Sequence, residues 1–511
     1  MLHGDVLGER ARLTPEKTAL VFVPTGERIT YGALDERASR CASMWREQLG
    51  LAKGDRIGLL ANNRVDFLDC FFAAGKSGAI VVPLGTRLTA NEMAYVVLDS
   101  GMRALVYDGA FAEVVRELKR LVELERWIAL DEPVDPDDLR HPDLVSRTPD
   151  PGPRTTVSPE DTYCLLYTSG TTGKPKGVMV PHRMIAWNAY NTAISWQLRE
   201  DDVTPIYTPL YHSGGLGAFL LPIVAIGGTI VLHSGFDTAE IWRTVKSERC
   251  TVVLGVPTIY KLLMEAPEFE RADLSSVRWL ISGGAPLPLY IIEAYQRRGV
   301  VFKQGYGLTE VGVNCFAMTV EQSVAKKGSI GTPMMYTQAK LVDAEGREVP
   351  IGEVGELLLK GPHVCTGYWN NPEATAAALD AGGFFHTGDL ARRDKDNFFT
   401  IAGRKKDMFI SGGVNVYPAE IEGELLLHPG VKDAAVIGAP HPIWGEVGVA
   451  FVVPRSDPAP AGEELGAFLA TRLAKYKIPK EFVFVDSLPR TAYGKVVKGE
   501  LAAMYLTKAG G

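Results

Sequence analysis

The chain is 511 residues long, 46% apolar and 23% charged, with a formal net charge of −7. That length exceeds one ordinary hydrophobic core, so two or more domains are expected, and the composition is that of a globular protein. The acidic balance and the lack of a polybasic block exclude a general nucleic-acid binder.

Six cysteines (Cys41, Cys70, Cys164, Cys250, Cys315, Cys365) carry no CxxC pair, which suits reduced core thiols in a cytoplasmic protein better than disulfides or zinc. The start, Met1-Leu2-His3-Gly4-Asp5, carries an acid and no continuous apolar stretch, so no secretory signal is expected.

In chain order, β-branched runs at 56–60, 78–82, 104–106 and 127–130 read as strands. The amphipathic stretches 31–49, 65–77, 90–99 and 111–121 read as helices between them. Residues 131–155, rich in Pro and Asp, read as a surface connection. A second set has strands at 203–208, 228–232, 251–256 and 277–282, with helices at 238–249, 257–265 and 288–296. Alternation of this kind predicts sheets of parallel strands covered by helices.

The uncharged run 214–232 approaches membrane-spanning length. Its five glycines, Pro222 and missing flanking Lys or Arg read instead as a buried helix-turn-strand. Peripheral membrane contact stays open should the substrate be a lipid. After Gly328 the pattern turns to Gly-rich turns and short strands such as 339–342 and 356–360, a small barrel-like subdomain. Basic residues at 403–406 interrupt two apolar runs and mark the sharpest boundary. Beyond it lies a separate mixed pattern at 421–427, 431–438, 448–454, 462–473 and 482–485.

The most informative stretch is Tyr167-Thr168-Ser169-Gly170-Thr171-Thr172-Gly173-Lys174-Pro175-Lys176-Gly177. Glycines let backbone N–H groups converge on one point, and hydroxyls and ammonium groups add donors there. The loop is suited to polyanionic oxygens such as those of a nucleoside triphosphate. It is not a Walker A loop, because Pro175 stands after Lys174 where Ser or Thr would meet magnesium.

With that loop come, in order, Gln304-Gly305-Tyr306-Gly307-Leu308-Thr309-Glu310, Thr387-Gly388-Asp389, Gly403-Arg404-Lys405-Lys406-Asp407 and Pro489-Arg490-Thr491-Ala492-Tyr493-Gly494-Lys495. The set resembles the signature motifs of the adenylate-forming superfamily, of the acyl-CoA synthetase type, over essentially the whole chain. The resemblance implies an α/β fold. A large N-terminal domain (1–403) would hold two helix-covered sheets and the barrel-like subdomain. A hinge (404–406) would join it to a small mobile α+β domain (407–511).

It also implies a set of roles. Thr168, Ser169, Gly170, Thr171, Thr172, Gly173, Lys174 and Lys176 would cradle ATP phosphates. Thr309 would touch phosphate and Glu310 would hold Mg2+. Tyr306, between Gly305 and Gly307, would cover the adenine, with Gly283, Gly284 and Ala285 beneath it. Asp389 and Arg404 would meet the ribose. Lys495 would bridge the substrate carboxylate and the α-phosphate. Rotation about Lys406 would then withdraw Lys495 and bring Ser411, Gly412 and Gly413 to the pantetheine arm of CoA.

The acyl pocket is expected from Trp187, Tyr207, His212, Ser213, Gly284, Val311, Val313 and Asn314, with His212 beside the carboxylate and Asn314 a candidate to meet a ring substituent. No acid lies between Asp202 and Asp237, which argues against an amino-acid substrate. The apolar, Gly-rich lining leans toward a medium- or long-chain fatty acid, with an aryl or cinnamic-type acid as the alternative. CoA is the expected acceptor because no carrier domain follows in the sequence. A stand-alone enzyme loading a carrier protein, or a catalytically silent nucleotide binder, are the other readings. The oligomeric state is left as monomer or homodimer.

Overall fold

The computed structural model describes residues 4–148, 154–168, 174–284, 287–455, 457–490 and 496–509. Seven strands form the first sheet, in the order Leu139–Arg140, Arg126–Ala129, Ala104–Tyr107, Arg56–Leu60, Ile80–Pro83, Thr162–Thr168 and Lys176–Pro181. All neighbours run parallel except the last pair. Ile80–Pro83 and Ala104–Tyr107 are buried along their whole length, as central parallel strands covered on both faces must be.

The covering helices begin and end where their caps dictate. Ala90–Ser100 opens on a Thr89/Glu92 capping box and closes at Gly101 with φ 60°. The segment expected as a surface connection is partly internal. Leu139–Arg140 extends the sheet, and the short helix His141–Ser146 buries His141 and Leu144.

In the second sheet the order is Val203–Ile206, Thr229–Leu232, Thr18–Phe22, Glu27–Thr30. The N-terminal hairpin is invisible to a local reading of the sequence, because Leu20 finds its parallel partner at Ile230. Beside this sheet stand Val252–Gly255, Trp279–Ser282 and Phe302–Gln304, all parallel, tied to it through Thr251 N donating to Val203 O (2.8 Å). The 214–232 run forms consecutive helical pieces from Ser213 to Ile226, a left-handed turn at Gly227 and the strand Thr229–Leu232. Among the described residues no helix is long and apolar enough to cross a membrane.

The barrel-like piece is an antiparallel sheet of Gln338–Val342, Val354–Lys360, Phe385–Arg393 and Phe399–Arg404 in consecutive order. The next strand, Phe409–Ser411, belongs to a different sheet with Val414–Val416, Gly445–Pro454, Val431–His441 and Glu481–Phe484. Along the two long strands alternate side chains face opposite ways. Val436 and Ala450 join a core with Phe409, Ile421 and Leu465, whereas Ile437 and Phe451 join Leu488 and Leu501. The link between the two sheets is the turn at 405–408, where Asp407 N and Met408 N both donate to Arg404 O (3.1 Å).

Candidate active site

Strands Thr162–Thr168 and Lys176–Pro181 present the phosphate loop as a hairpin, with Thr168 opposite Lys176. Ser169, Gly170, Thr171, Thr172 and Gly173 lie outside the described residues, as do Ala285 and Lys495. Lys174 Nζ stands 5.5 Å from the Tyr95 ring centroid, and Lys176 Nζ 5.0 Å from that of Tyr368.

Tyr368 is a residue the motif reading missed. Its backbone bridges to Val178, and Trp369 N donates to Gly177 O (2.7 Å), which docks this segment along the hairpin. Its hydroxyl donates to Glu310 Oε1 (3.0 Å). Burial, reinforced by the Glu310 charge, pushes the Tyr368 phenol well above its ordinary range, so it remains a donor. One ring therefore joins a lysine beside the phosphate loop to the expected magnesium ligand. The sequence did carry a signal in Gly367-Tyr368-Trp369-Asn370, two aromatics in a turn too polar to be core.

Glu310 is held from a second side by its backbone, as Cys365 N donates to Glu310 O (2.8 Å). The Thr309–Val311 turn closes through a bridge between Leu308 and Gly312. Gly307 sits so close to this turn that a Cβ there would fall 2.3 Å from Val313 C and 2.4 Å from Gly312 O. Behind it is a second group absent from the motif reading. Burial holds His363 below the usual imidazole range, and its neutral ring bonds Val311 O through Nδ1 (2.5 Å) and Thr337 Oγ1 through Nε2 (2.8 Å). With the carbonyl accepting from Nδ1–H, Nε2 is left to accept from the hydroxyl.

On the expected ribose side, antiparallel pairing sets Asp389 opposite Arg404. Arg404 Nε lies 3.0 Å from Asp389 Oδ1, and the Tyr306 hydroxyl donates to Oδ2 (2.6 Å). Burial, together with the Asp389 charge, pushes the Tyr306 phenol well up. Gly305 N donates to Ser282 O (2.8 Å) and Gly283 N to Gly255 O (3.2 Å), so Gly283 and Gly305 stand side by side beyond the carboxyl ends of parallel strands. Such a crevice is where open α/β sheets receive ligands.

Ser213 Oγ meets Thr309 Oγ1 at 2.8 Å, bringing two predicted residues together in a buried contact. His212 caps the helix start, its Nδ1 accepting from Gly214 N (3.1 Å), which fixes the ring proton on Nε2.

Three residues expected to line the acyl pocket are engaged with the protein itself. Tyr207 packs in a core with Ile241, Trp242 and Tyr260 and donates its hydroxyl to Leu254 O (2.6 Å). Trp187 sets its ring edge-on to Tyr336, centroids 4.9 Å apart. Asn314 donates from Nδ2 to Thr192 Oγ1 and Ala218 O (3.0 Å each), which leaves no amide proton for a ring substituent.

In the C-terminal sheet, Ser411 is buried, and Gly412 and Gly413 form the turn, with Gly412 N donating to Trp444 O (2.9 Å). Lys405 Nζ bonds Glu356 Oε2 (2.8 Å), and Lys406 is exposed on the inter-sheet turn.

The AMP-binding enzyme family is matched over residues 7–369, and the AMP-binding enzyme C-terminal domain over 420–495. The chain belongs to the AMP-binding enzyme family. Feruloyl-CoA synthase of Amycolatopsis sp is 42% identical over 497 residues, 96% of each chain. Long-chain-fatty-acid–CoA ligase FadD13 of Mycobacterium tuberculosis is 35% identical over 506 residues, 98% of each. Among solved structures, anthranilate CoA ligase AuaEII in complex with anthranoyl-AMP aligns with a TM-score of 0.89 at 28% identity, covering 100% of this chain and 99% of that one.

Bacillus subtilis O-succinylbenzoate CoA synthetase in complex with ATP and magnesium ion aligns at 0.85 and 32%, covering 97% and 99%. This AMP-binding enzyme is accordingly an ATP-dependent acid–CoA ligase with ATP, CoA and a small carboxylic acid as substrates. The hard carboxylate oxygens of Glu310, steadied by Tyr368, fit magnesium, whose charge would neutralise triphosphate oxygens. Removing the Tyr368 hydroxyl in Tyr368→Phe is expected to raise the magnesium concentration needed for half-maximal pyrophosphate release by about tenfold or more. An unchanged magnesium titration would show that the hydroxyl does not position Glu310.

Proposed function

We propose that this ligase activates an aryl or cinnamic-type acid and transfers it to CoA. The supporting observation is the full-length 42% identity to a feruloyl-CoA synthase, against 35% to a fatty-acyl ligase. The sequence alone leaned toward a fatty acid because the expected lining is apolar and rich in glycine.

A buried acceptor adds to the aryl reading. Asn188 donates from Nδ2 to Gly217 O (2.7 Å), which orients the amide, and its buried Oδ1 has no partner among the described residues. A Cβ added at Gly312 would lie 2.8 Å from that oxygen, and one added at Gly217 would lie 2.9 Å from Val313 Cγ2. The amide thus sits among the residues assigned to the acyl pocket. The oxygen is closed over by Gly312, so a ligand hydroxyl would reach it only if that backbone gives way; a phenolic acid supplies such a hydroxyl and an aliphatic chain does not.

The reaction runs in two steps. The acid's carboxylate attacks the α-phosphorus of ATP, forming acyl-AMP and expelling pyrophosphate; the CoA thiol then attacks the acyl carbon, and AMP leaves. Thr168, Lys174, Lys176 and Thr309 hold phosphate oxygens, with Ser213 supporting Thr309. Asp389, Arg404 and Tyr306 fix the nucleoside, and His212 Nε2–H steadies the carboxylate. Lys495 places a positive charge between the two reacting groups. The 404–406 turn then acts as the hinge that swings Ser411–Gly413 toward the thiol.

Incubation with ATP, CoA and a panel of hydroxycinnamic, benzoic and C8–C18 fatty acids, read by pyrophosphate release, tests the substrate. Ferulate or a close relative should exceed every fatty acid by about tenfold or more in kcat/KM. A preference for a long aliphatic chain overturns the aryl reading while leaving the ligase class intact. Replacing CoA by a carrier protein against preformed acyl-AMP tests the acceptor. Lys406→Pro is expected to slow thioester formation more than adenylation, and equal loss in both half-reactions would remove the hinge assignment.

A further inference from the structure

Cys41 on helix Tyr31–Glu47, Cys70 on helix Val65–Ser77 and His141 at the start of helix His141–Ser146 converge inside the helical layer of the first sheet. Cys41 Sγ lies 3.9 Å from Cys70 Sγ and 3.9 Å from His141 Nε2, and all three donor atoms fall within 4.8 Å of one another. The three residues are 1%, 1% and 4% exposed. Other thiols of this chain behave differently. Cys315 donates to Val311 O and Cys250 to Thr244 O, as ordinary core cysteines do.

Two of the three donor separations match the edges of a metal polyhedron. Bonds of about 2.3 Å to sulfur and 2.0–2.1 Å to imidazole nitrogen give tetrahedral edges of roughly 3.8 Å between sulfurs and 3.6 Å between sulfur and nitrogen. Opening the same bonds to a trigonal plane gives a sulfur–sulfur edge of roughly 4.0 Å. Both observed 3.9 Å separations fall within a few tenths of these edges without movement of any helix. For Zn2+ the charges also balance: two thiolates and a neutral imidazole leave a bound dication without net charge, the condition for keeping an ion in a core, whereas Cu(I) would leave one net negative charge on the site.

We propose that Cys41, Cys70 and His141 form a structural site for a thiophilic d10 cation, Zn2+ or Cu(I). Binding releases two thiol protons to solvent and forms two metal–sulfur bonds and one metal–nitrogen bond. Among the described residues no fourth thiol, imidazole or carboxylate joins the group. The trigonal arm of the proposal is therefore Cu(I), and the tetrahedral arm is Zn2+ with one further donor.

The cation's role is to add a cross-link to a connection already seated by the Leu139–Arg140 strand and by Leu144 in the core. His141–Ser146 is too short to persist alone. Its polar ties include Gln48 Nε2 donating to Leu144 O (2.6 Å), and the same amide donates to Thr148 Oγ1 (2.5 Å) just beyond the helix, while Leu144 packs in the core. Three ligands far apart in sequence would close two long loops at once. That separation also explains why counting CxxC pairs gave no hint of a metal site. The neighbouring strand Leu139–Arg140 is the sheet edge opposite the phosphate-loop hairpin, so the site stands apart from the ligase chemistry.

The test uses the full chain without a histidine tag, produced separately in zinc- and copper-supplemented medium and dialysed before elemental analysis. About one equivalent of one of the two metals is expected, falling below roughly a tenth in Cys70→Ala and His141→Gln. The metal retained decides between the two arms. Less than a tenth of an equivalent of either metal in the unmodified chain overturns the proposal, as does equal retention by the variants. Should the variants not fold, the unmodified chain still decides. Stripping with a strong chelator should lower Tm by several degrees, and returning the cation should restore it. A Tm indifferent to both steps overturns the site.

Discussion

Lys495→Ala is expected to lower acid-dependent ATP–pyrophosphate exchange on the order of 10²–10³-fold, the scale of losing a preorganised charge at a reacting centre. A carboxylate approaching the α-phosphate brings two anions together, and the bond forms only if a cation stands between them. In the proposed mechanism Lys174, Lys176 and the magnesium that Glu310 would hold serve the departing pyrophosphate, which leaves the attacking side to Lys495. The residue closes the motif Pro489-Arg490-Thr491-Ala492-Tyr493-Gly494-Lys495, far along the chain from the phosphate loop. The second half-reaction has no such need, since a thiol meets an already activated acyl group. Thioester formation from supplied acyl-AMP should therefore proceed near its original rate in the variant. Single-turnover assays of the two halves separate these outcomes. Undiminished adenylation would remove Lys495 from the chemistry.

Elements were readable from the sequence where their end signals are local. Val65–Ser77 and Pro257–Glu265 fall on their expected bounds because Gly78, in the left-handed region, stops one and Pro257 starts the other. Contacts closed by tertiary pairing were not readable. The Thr18–Phe22 strand depends on Thr229–Leu232, and a strand of five residues carries too little periodicity to announce itself.

The site divides in the same way. The motifs named Asp389 and Arg404 separately, but only the antiparallel register makes them face each other, and only the fold lays Tyr306 across the second carboxylate oxygen. Tyr368 and His363 belong to no motif read from the sequence. Their work is done on Glu310 and on the Val311 carbonyl, groups more than fifty positions away. For Tyr207 and Trp187 the sequence placed an aromatic near a pocket motif but could not show its ring partners, Phe236 and Tyr336, which only the fold brings beside them.

Gly307→Ala is expected to damage both stability and turnover, because the added methyl meets backbone rather than a side chain able to rotate aside. The atoms in its way are Val313 C at 2.3 Å and Gly312 O and Val313 O at 2.4 Å. Relief requires the Leu308–Gly312 bridge to open, and overpacking of this kind costs about 2–3 kcal/mol. The same movement displaces Thr309 and Glu310 on one side and Tyr306 on the other. A shift of about 1 Å in such groups lowers adenylation on the order of 10²-fold.

Gly423→Ala is the matched control. It lies in helix Pro418–Leu425 with nothing within 4 Å of an added Cβ, so it should hold or slightly raise the melting temperature. Thermal melts and pyrophosphate exchange on both variants read the two effects. If Gly307→Ala melted and exchanged like the parent, the turn would be compliant. The positions of Thr309 and Glu310 would then have to be set by Ser213, Tyr368 and His363 alone.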